Sequence, residues 1–164
     1  AAREAWPLLR RASFPVRWIH QAGQDAAAEI SREFAAGGLD GRVAAFIDDM
    51  PAAFAEADLV VGRSGAGAVA ELAAAGKPSI LSPFPFAADD HQTANARALE
   101  RAGAARLVPD REMTGERLAR ELTALAADPD LLDRMGAAAR RLARPGAAAR
   151  AADLLEQLSG KDPE

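Results

Sequence analysis

Three short stretches of this chain carry residue types suited to holding a phosphorylated, hydroxyl-rich ligand, and each follows an apolar run. The first is Gly62-Arg63-Ser64-Gly65-Ala66-Gly67, followed at Glu71 by the one carboxylate of an alanine-rich segment. Three glycines let a backbone come close to a ligand. If a helix opens at 66, its first N–H groups are unpaired and sit at the positive end of the helix dipole, which suits an anion, most naturally a diphosphate. The spacing is neither GxGxxG nor a Walker loop, and a tight strand-to-helix turn alone also accounts for it. Glu71, in the second turn, accepts two hydrogen bonds at once and so fits a vicinal diol such as ribose O2′ and O3′. A solvated helix carboxylate is the alternative.

The second stretch is Phe46-Ile47-Asp48-Asp49-Met50-Pro51. Main-chain groups at a strand end can read the edge of a pyrimidine, with Phe46 or Met50 as an apolar wall. For Asp48 and Asp49, capping of the following short helix is the favoured reading. The third runs from Pro83 through Phe84, Pro85 and Phe86 to His91, Gln92 and Asn95. Amides and imidazole both donate and accept, as sugar hydroxyls require, and Gln92 and Asn95 share a helix face three residues apart. Capping and packing of that helix remain the other reading. His20 ends a further apolar run, either at the same edge as a ligand group or as a satisfied strand-end histidine. Trp6 and Trp18 are assigned to packing.

Positioning these groups requires alternating strands and helices. Apolar periodicity predicts strands at 15–20, 42–46, 58–61, 79–82 and 105–108. Helices are predicted at 2–11, 24–35, 50–56, 66–75, 89–101, 114–127, 130–143 and 146–158. That order implies an α/β architecture, a doubly wound, Rossmann-like parallel sheet with helices on both faces. Ligands in such sheets bind outside the carboxyl ends of the strands, where all three stretches fall. Gly76, Lys77 and Pro78 read as a helix stop, with Lys77 near the negative end of the dipole. Thr114 reads as a helix start, and Asp128-Pro129-Asp130 as a loop that restarts one. The tail at 159–164 is too polar to pack and is expected to fray.

The 164 residues fit one domain, and the apolar excess is mostly alanine, which suits many closely packed helices. A net charge of −4 argues against a broad nucleic-acid surface. Without cysteine there is no disulfide framework or thiolate site, and two histidines 71 positions apart make a zinc site unexpected. No run is long and apolar enough to span a bilayer. Arg140, Arg141, Arg144 and Arg150 read as a solvated helical face, with anionic lipid as the alternative. The chain begins at Ala1 without a methionine, which reads as a fragment or a processed product.

Taken in order, HQAG, FIDDMPAAFAEADLVVGRSGAGAVAELAAAGKPSILSPFP, HQTANA and LERAGAARLV resemble the C-terminal domain of the MurG family, bacterial peptidoglycan glycosyltransferases of the two-domain GT-B architecture. The likeness runs from about residue 2 to 158, so that 1–158 is expected to be a C-terminal UDP-sugar-binding domain, partial because a strand and a GGSxGA loop that open this domain in the family are missing. The resemblance implies transfer of N-acetylglucosamine from UDP-GlcNAc to the C4 hydroxyl of lipid I, giving lipid II, by an inverting displacement with no cofactor and no essential metal. It implies a cytoplasmic protein, peripheral on the inner face of the plasma membrane, with UDP-GlcNAc and the lipid I acceptor as partners and no nucleic acid.

Residue by residue, the resemblance places Ile47 on uracil through its backbone with Phe46 beside the ring, and Glu71 on the ribose hydroxyls. It puts Ser64, Gly65 and Ala66 against the diphosphate and ribose, and His91 and Gln92 at hydroxyls of the donor sugar; Arg63, Gly67 and Asn95 complete the expected substrate-binding set. The family commonly has two glutamines where this chain has His91 and Gln92, and often a threonine at Ala68. No catalytic residue is expected in this chain, since the acceptor site and the catalytic base belong to the family's other domain, and the chain alone is expected to be inactive. Two other assignments share the motif logic: the UDP-sugar-binding half of another GT-B enzyme, and a nucleotide-sugar-binding partner subunit.

Overall fold

A computed structural model describes residues 1–159, the side chain of Ala88 excepted. In chain order the elements are α1 (Ala2–Leu9), β1 (Arg17–Gln21), α2 (Gln24–Ala36), β2 (Asp40–Ala44), α3 (Met50–Glu56), β3 (Val60–Gly62), α4 (Ala66–Ala75) and β4 (Ser79–Leu81). After these come α5 (His91–Arg101), β5 (Ala105–Leu107), α6 (Gly115–Ala126), α7 (Pro129–Leu142) and α8 (Ala147–Ser159), with single 3-10 turns at Ala88–Asp90 and Asp110–Glu112. Every predicted strand and helix has its counterpart. β1, β3, β4 and β5 are each one residue shorter than the apolar runs suggested, β2 keeps five residues but lies at 40–44 rather than 42–46, and α5 begins at His91 because Asp89 and Asp90 both adopt left-handed backbone. Of the expected frayed tail, Ser159 closes α8 and 160–164 lie outside the described residues.

All strand pairs are parallel, as the alternation predicts. They form two ladders, β1 with β2 and β3-β4-β5 in spatial order, and among the described residues no ladder joins β1 to β3.

The pleat of β4 distributes the core. Successive strand residues face opposite sides, so Ile80 packs with Ala5, Leu9, Val108, Leu118 and Leu125 of the α1/α6 side, while Leu81 packs with Leu72, Ala96 and Leu99 of the α4/α5 side. Helix α7 serves both: Met135 joins the first cluster, Ala138 and Ala139 the second. Helices thus cover both faces, and alanine's small side chain lets them sit close. Trp6, Ile30 and Phe34 form a third cluster over β1 and β2, with Trp6 edge-on to Trp18 and Phe34, so both tryptophans pack as expected.

Helix ends follow their chemistry. Asp49 Oδ1 accepts from Ala52 N at 2.9 Å, Thr114 from Arg117 N at 3.1 Å and Asp128 from Leu131 N at 2.9 Å, each satisfying an otherwise unpaired N–H. Gly76 takes the left-handed conformation that stops α4, and a Cβ there would strike the Arg140 side chain at 2.4 Å. Lys77 sits just past the end of α4, as expected, and its Nζ donates to Ala57 O at 2.7 Å, at the end of α3.

Candidate functional site

The β3–α4 junction leaves an unusual opening. Gly65 is the N-cap of α4 and no side chain accepts from the helix's first N–H groups. A Cβ added to Gly62, Gly65 or Gly67 would meet nothing within 4 Å, and none of the three has positive φ. Neither packing nor backbone conformation therefore demands glycine here; what the glycines leave is room in front of the helix end. Ala66, Gly67, Ala70, Glu71 and Ala74 form the exposed face of α4. Glu71 lies one turn beyond Gly67, roughly 6 Å along the axis. Its carboxylate has no hydrogen-bond or ion-pair partner among the described residues.

Beside this opening the loops after β3 and β4 and the start of α5 are stitched together. Ser64 is wholly buried, and its Oγ donates to the Gln92 carbonyl at 2.8 Å. Asn95 Nδ2 donates to the Ser64 carbonyl at 3.0 Å, and Phe84 N donates to Gln92 Oε1 at 3.0 Å. The side chain and the carbonyl of Ser64 are thus both committed to partners inside the protein. Gln92 and Asn95 commit at least one polar atom each to packing, as the alternative reading of that helix anticipated, and His91 is exposed at the helix start. Arg63 Nη1 donates to Ser82 O and Pro83 O, both at 3.1 Å, and pairs with Asp110 Oδ1 at 2.5 Å. Its guanidinium also lies over the Phe84 ring, 5.7 Å from the centroid.

Phe46 and Ile47 follow the carboxyl end of β2, in the other ladder. Phe46 is 63% exposed, which leaves a free aromatic face. Ile47 N donates to Gln21 Oε1 at 3.0 Å. No hydrogen bond links this pair to the 62–67 loop among the described residues. His20 turns away from the opening: its ring lies edge-on to Trp6 at 5.7 Å, and burial holds its pKa below the usual histidine value.

Sequence reasoning missed four participants. Asp110 follows β5 and meets Arg63 across 47 residues of chain; no local pattern signals such a pair. Gln21 ends β1, and its hold on Ile47 needs the register that brings β1 beside β2. Asp89 and Asp90, with φ of 49° and 52°, put two strained residues immediately before His91. Strain of this kind gathers at ligand sites, and two adjacent turn-prone aspartates were the available signal. Among the described residues no three His, Cys, Asp or Glu side chains cluster to hold a metal, and no helix is long and apolar enough to cross a membrane.

The chain matches the model for "Glycosyltransferase family 28 C-terminal domain" over residues 1–158. It is 62% identical over 159 residues to the "UDP-N-acetylglucosamine--N-acetylmuramyl-(pentapeptide) pyrophosphoryl-undecaprenol N-acetylglucosamine transferase" of Solibacter usitatus, covering 97% of this chain and 43% of that protein. The protein of the same name from Chromohalobacter salexigens is 54% identical over 125 residues, covering 76% and 34%. The crystal structure of Acinetobacter baumannii MurG superposes with a TM-score of 0.83 at 38% identity, over 93% of this chain and 44% of that one. The chain therefore spans about two fifths of the length of these relatives.

Proposed function

This chain belongs to the glycosyltransferase family 28 C-terminal domains, and from that premise we propose that it is the donor-binding domain of a UDP-GlcNAc-dependent transferase that glycosylates lipid I in peptidoglycan synthesis. The observation that carries the reading is the uncapped, open N-terminus of α4 with Glu71 exposed one turn along the same face. In this reading the phosphate at the helix end and the ribose diol at the carboxylate are separated by one helix turn, roughly 6 Å along the axis.

In this reading the Gly65, Ala66 and Gly67 main chain holds the diphosphate, Glu71 accepts from the ribose hydroxyls, and Phe46 and Ile47 receive uracil. His91 and Gln92 face the donor sugar. Ser64, Asn95 and Arg63 hold those groups in place. The acceptor's C4 hydroxyl attacks the anomeric carbon from the side opposite UDP. As that C–O bond forms, the bond to the β-phosphate oxygen breaks and its electron pair stays with the leaving UDP. Helix-terminal N–H groups stabilise the growing charge without reorganising, which is this domain's share of catalysis. The proton of the attacking hydroxyl goes to a base outside this chain. The acceptor is a lipid, so the whole enzyme works against the cytoplasmic face of the membrane.

The test is a donor screen on the full-length protein with lipid I as acceptor. UDP-GlcNAc is expected to be used in preference to UDP-glucose and UDP-galactose, with inversion at the anomeric centre. Preference for another UDP-sugar would move the domain to a different GT-B transferase, and no transfer from any donor would reject the reading.

A further inference from the structure

One guanidinium ties together the carboxyl ends of all three strands of the β3-β4-β5 ladder. Arg63 rises from the loop after β3, Ser82 and Pro83 follow β4, and Asp110 opens the turn after β5. We propose that Asp110 and Arg63 form a strut that positions the donor-sugar subsite, with Asp110 aiming the guanidinium and the guanidinium fixing the loop from Ser82 to Phe86. The proposal rests on the donor reading above for its ligand, though not for its geometry.

Three observations support a positioning role over direct contact with donor. All of Arg63's hydrogen bonds fall on Nη1, which reaches two main-chain carbonyls and a carboxylate together. With two N–H groups for three protein acceptors, that nitrogen is fully committed within the protein. The next residue along the loop is Phe84, which sits under the guanidinium, gives its N–H to Gln92 and lies edge-on to Phe86. The strut therefore connects directly to the residue that opens the sugar side of the site. Finally, Arg63 and Asp110 side chains are 49% and 38% exposed. An ion pair so exposed contributes little to stability by itself. Its consequence is orientation: without Asp110 the guanidinium is free to swing into solvent, and the two carbonyls and Phe84 lose their common partner.

The alternative is that Arg63 binds the diphosphate and Asp110 merely touches it. A double-mutant cycle on the full-length protein separates the two, because residues acting as one unit are non-additive. Asp110→Ala and Arg63→Met are each expected to raise KM for UDP-GlcNAc about tenfold, and the double variant no more than about twofold beyond either. KM for the lipid acceptor and inhibition by UDP, which lacks the sugar, should stay within about threefold of the parent. Asp110→Asn, which keeps an acceptor at Oδ1, should recover most of the loss.

An independent arm follows amide hydrogen exchange at Phe84 and Ala87, whose N–H groups bond to Gln92 Oε1 and Phe84 O. Faster exchange in Asp110→Ala, with the β4 amides unchanged, supports the strut. Unchanged exchange overturns it, as does multiplication of the two losses, or a loss of UDP inhibition in Arg63→Met that Asp110→Ala does not share. If the parent uses no UDP-sugar, the functional reading fails while the exchange arm still decides the strut.

Discussion

The side-chain amide of Asn95 donates to the main-chain carbonyl of Ser64 at 3.0 Å, across 31 residues of sequence. With the return bond from Ser64 Oγ to Gln92 O, this pair clamps the first turn of α5 against the loop that precedes α4. The loop before α4 and the start of α5 are thereby tied together by two hydrogen bonds.

Asn95→Ala strips a buried residue's carbonyl of its partner. A buried acceptor left unpaired costs about 1–3 kcal/mol, so urea unfolding should show that loss with an unchanged m-value. Asn95→Asp should be as damaging, since a carboxylate cannot donate to a carbonyl. A variant as stable as the parent would show that the clamp is not formed.

Gln21 occupies the Ile47 N–H that the functional reading gives to uracil. Gln21→Ala removes a competitor whose hydrogen bond has a net worth of about 0.5–1.5 kcal/mol. UDP affinity, measured by calorimetry, should therefore rise about two- to tenfold. A drop would mean that the amide contacts the base itself.

Much of this was legible in the sequence, and for identifiable reasons. Buried parallel strands need short apolar runs, helices need 3.6-residue periodicity, and Asp49, Thr114 and Asp128 announce helix starts through side chains that reach only three residues. Those signals are local. The Arg63–Asp110 pair, the Gln21–Ile47 bond and the division of the sheet into two ladders depend on which strands lie side by side, and no short pattern encodes that. Ser64 illustrates the limit most clearly. A serine amid glycines after a strand reads as a phosphate ligand, yet its hydroxyl is turned inward to α5.

Stability should fall in two separate acid windows. Burial lowers the His20 pKa from its ordinary 6.5, so the unfolded chain takes up that proton first. Its contribution is full above 6.5 and is lost as pH falls from there toward the folded value. For Glu121, burial pushes the pKa up, but hydrogen bonds and charge from Arg106 and Arg117 outweigh it and hold the carboxyl below its usual 4.5. That contribution is present above 4.5 and is lost as pH falls through the lower folded value. Thermal unfolding of His20→Gln should be flatter in the first window only, and of Glu121→Gln in the second only.

Asp89 and Asp90 both occupy left-handed backbone, which an L-residue enters at a cost and glycine enters freely. Replacing either with glycine should leave stability unchanged or raise it by up to about 1 kcal/mol in denaturant titration. A clear loss would show that the aspartate side chains hold the loop in ways the backbone does not reveal.

The central claim is that the exposed carboxylate of Glu71 clamps the ribose of a uridine nucleotide whose phosphates meet the α4 N-terminus. Its most direct test is calorimetric titration of UDP and of 2′,3′-dideoxy-UDP into the full-length protein and its Glu71→Ala variant. The account predicts that Glu71→Ala weakens UDP binding by about 1–3 kcal/mol, the worth of a lost charge-assisted hydrogen-bond pair. It predicts an equal weakening of the parent by removal of the two hydroxyls, and no further loss when both changes are combined. UDP affinity unchanged in a correctly folded Glu71→Ala variant would contradict it.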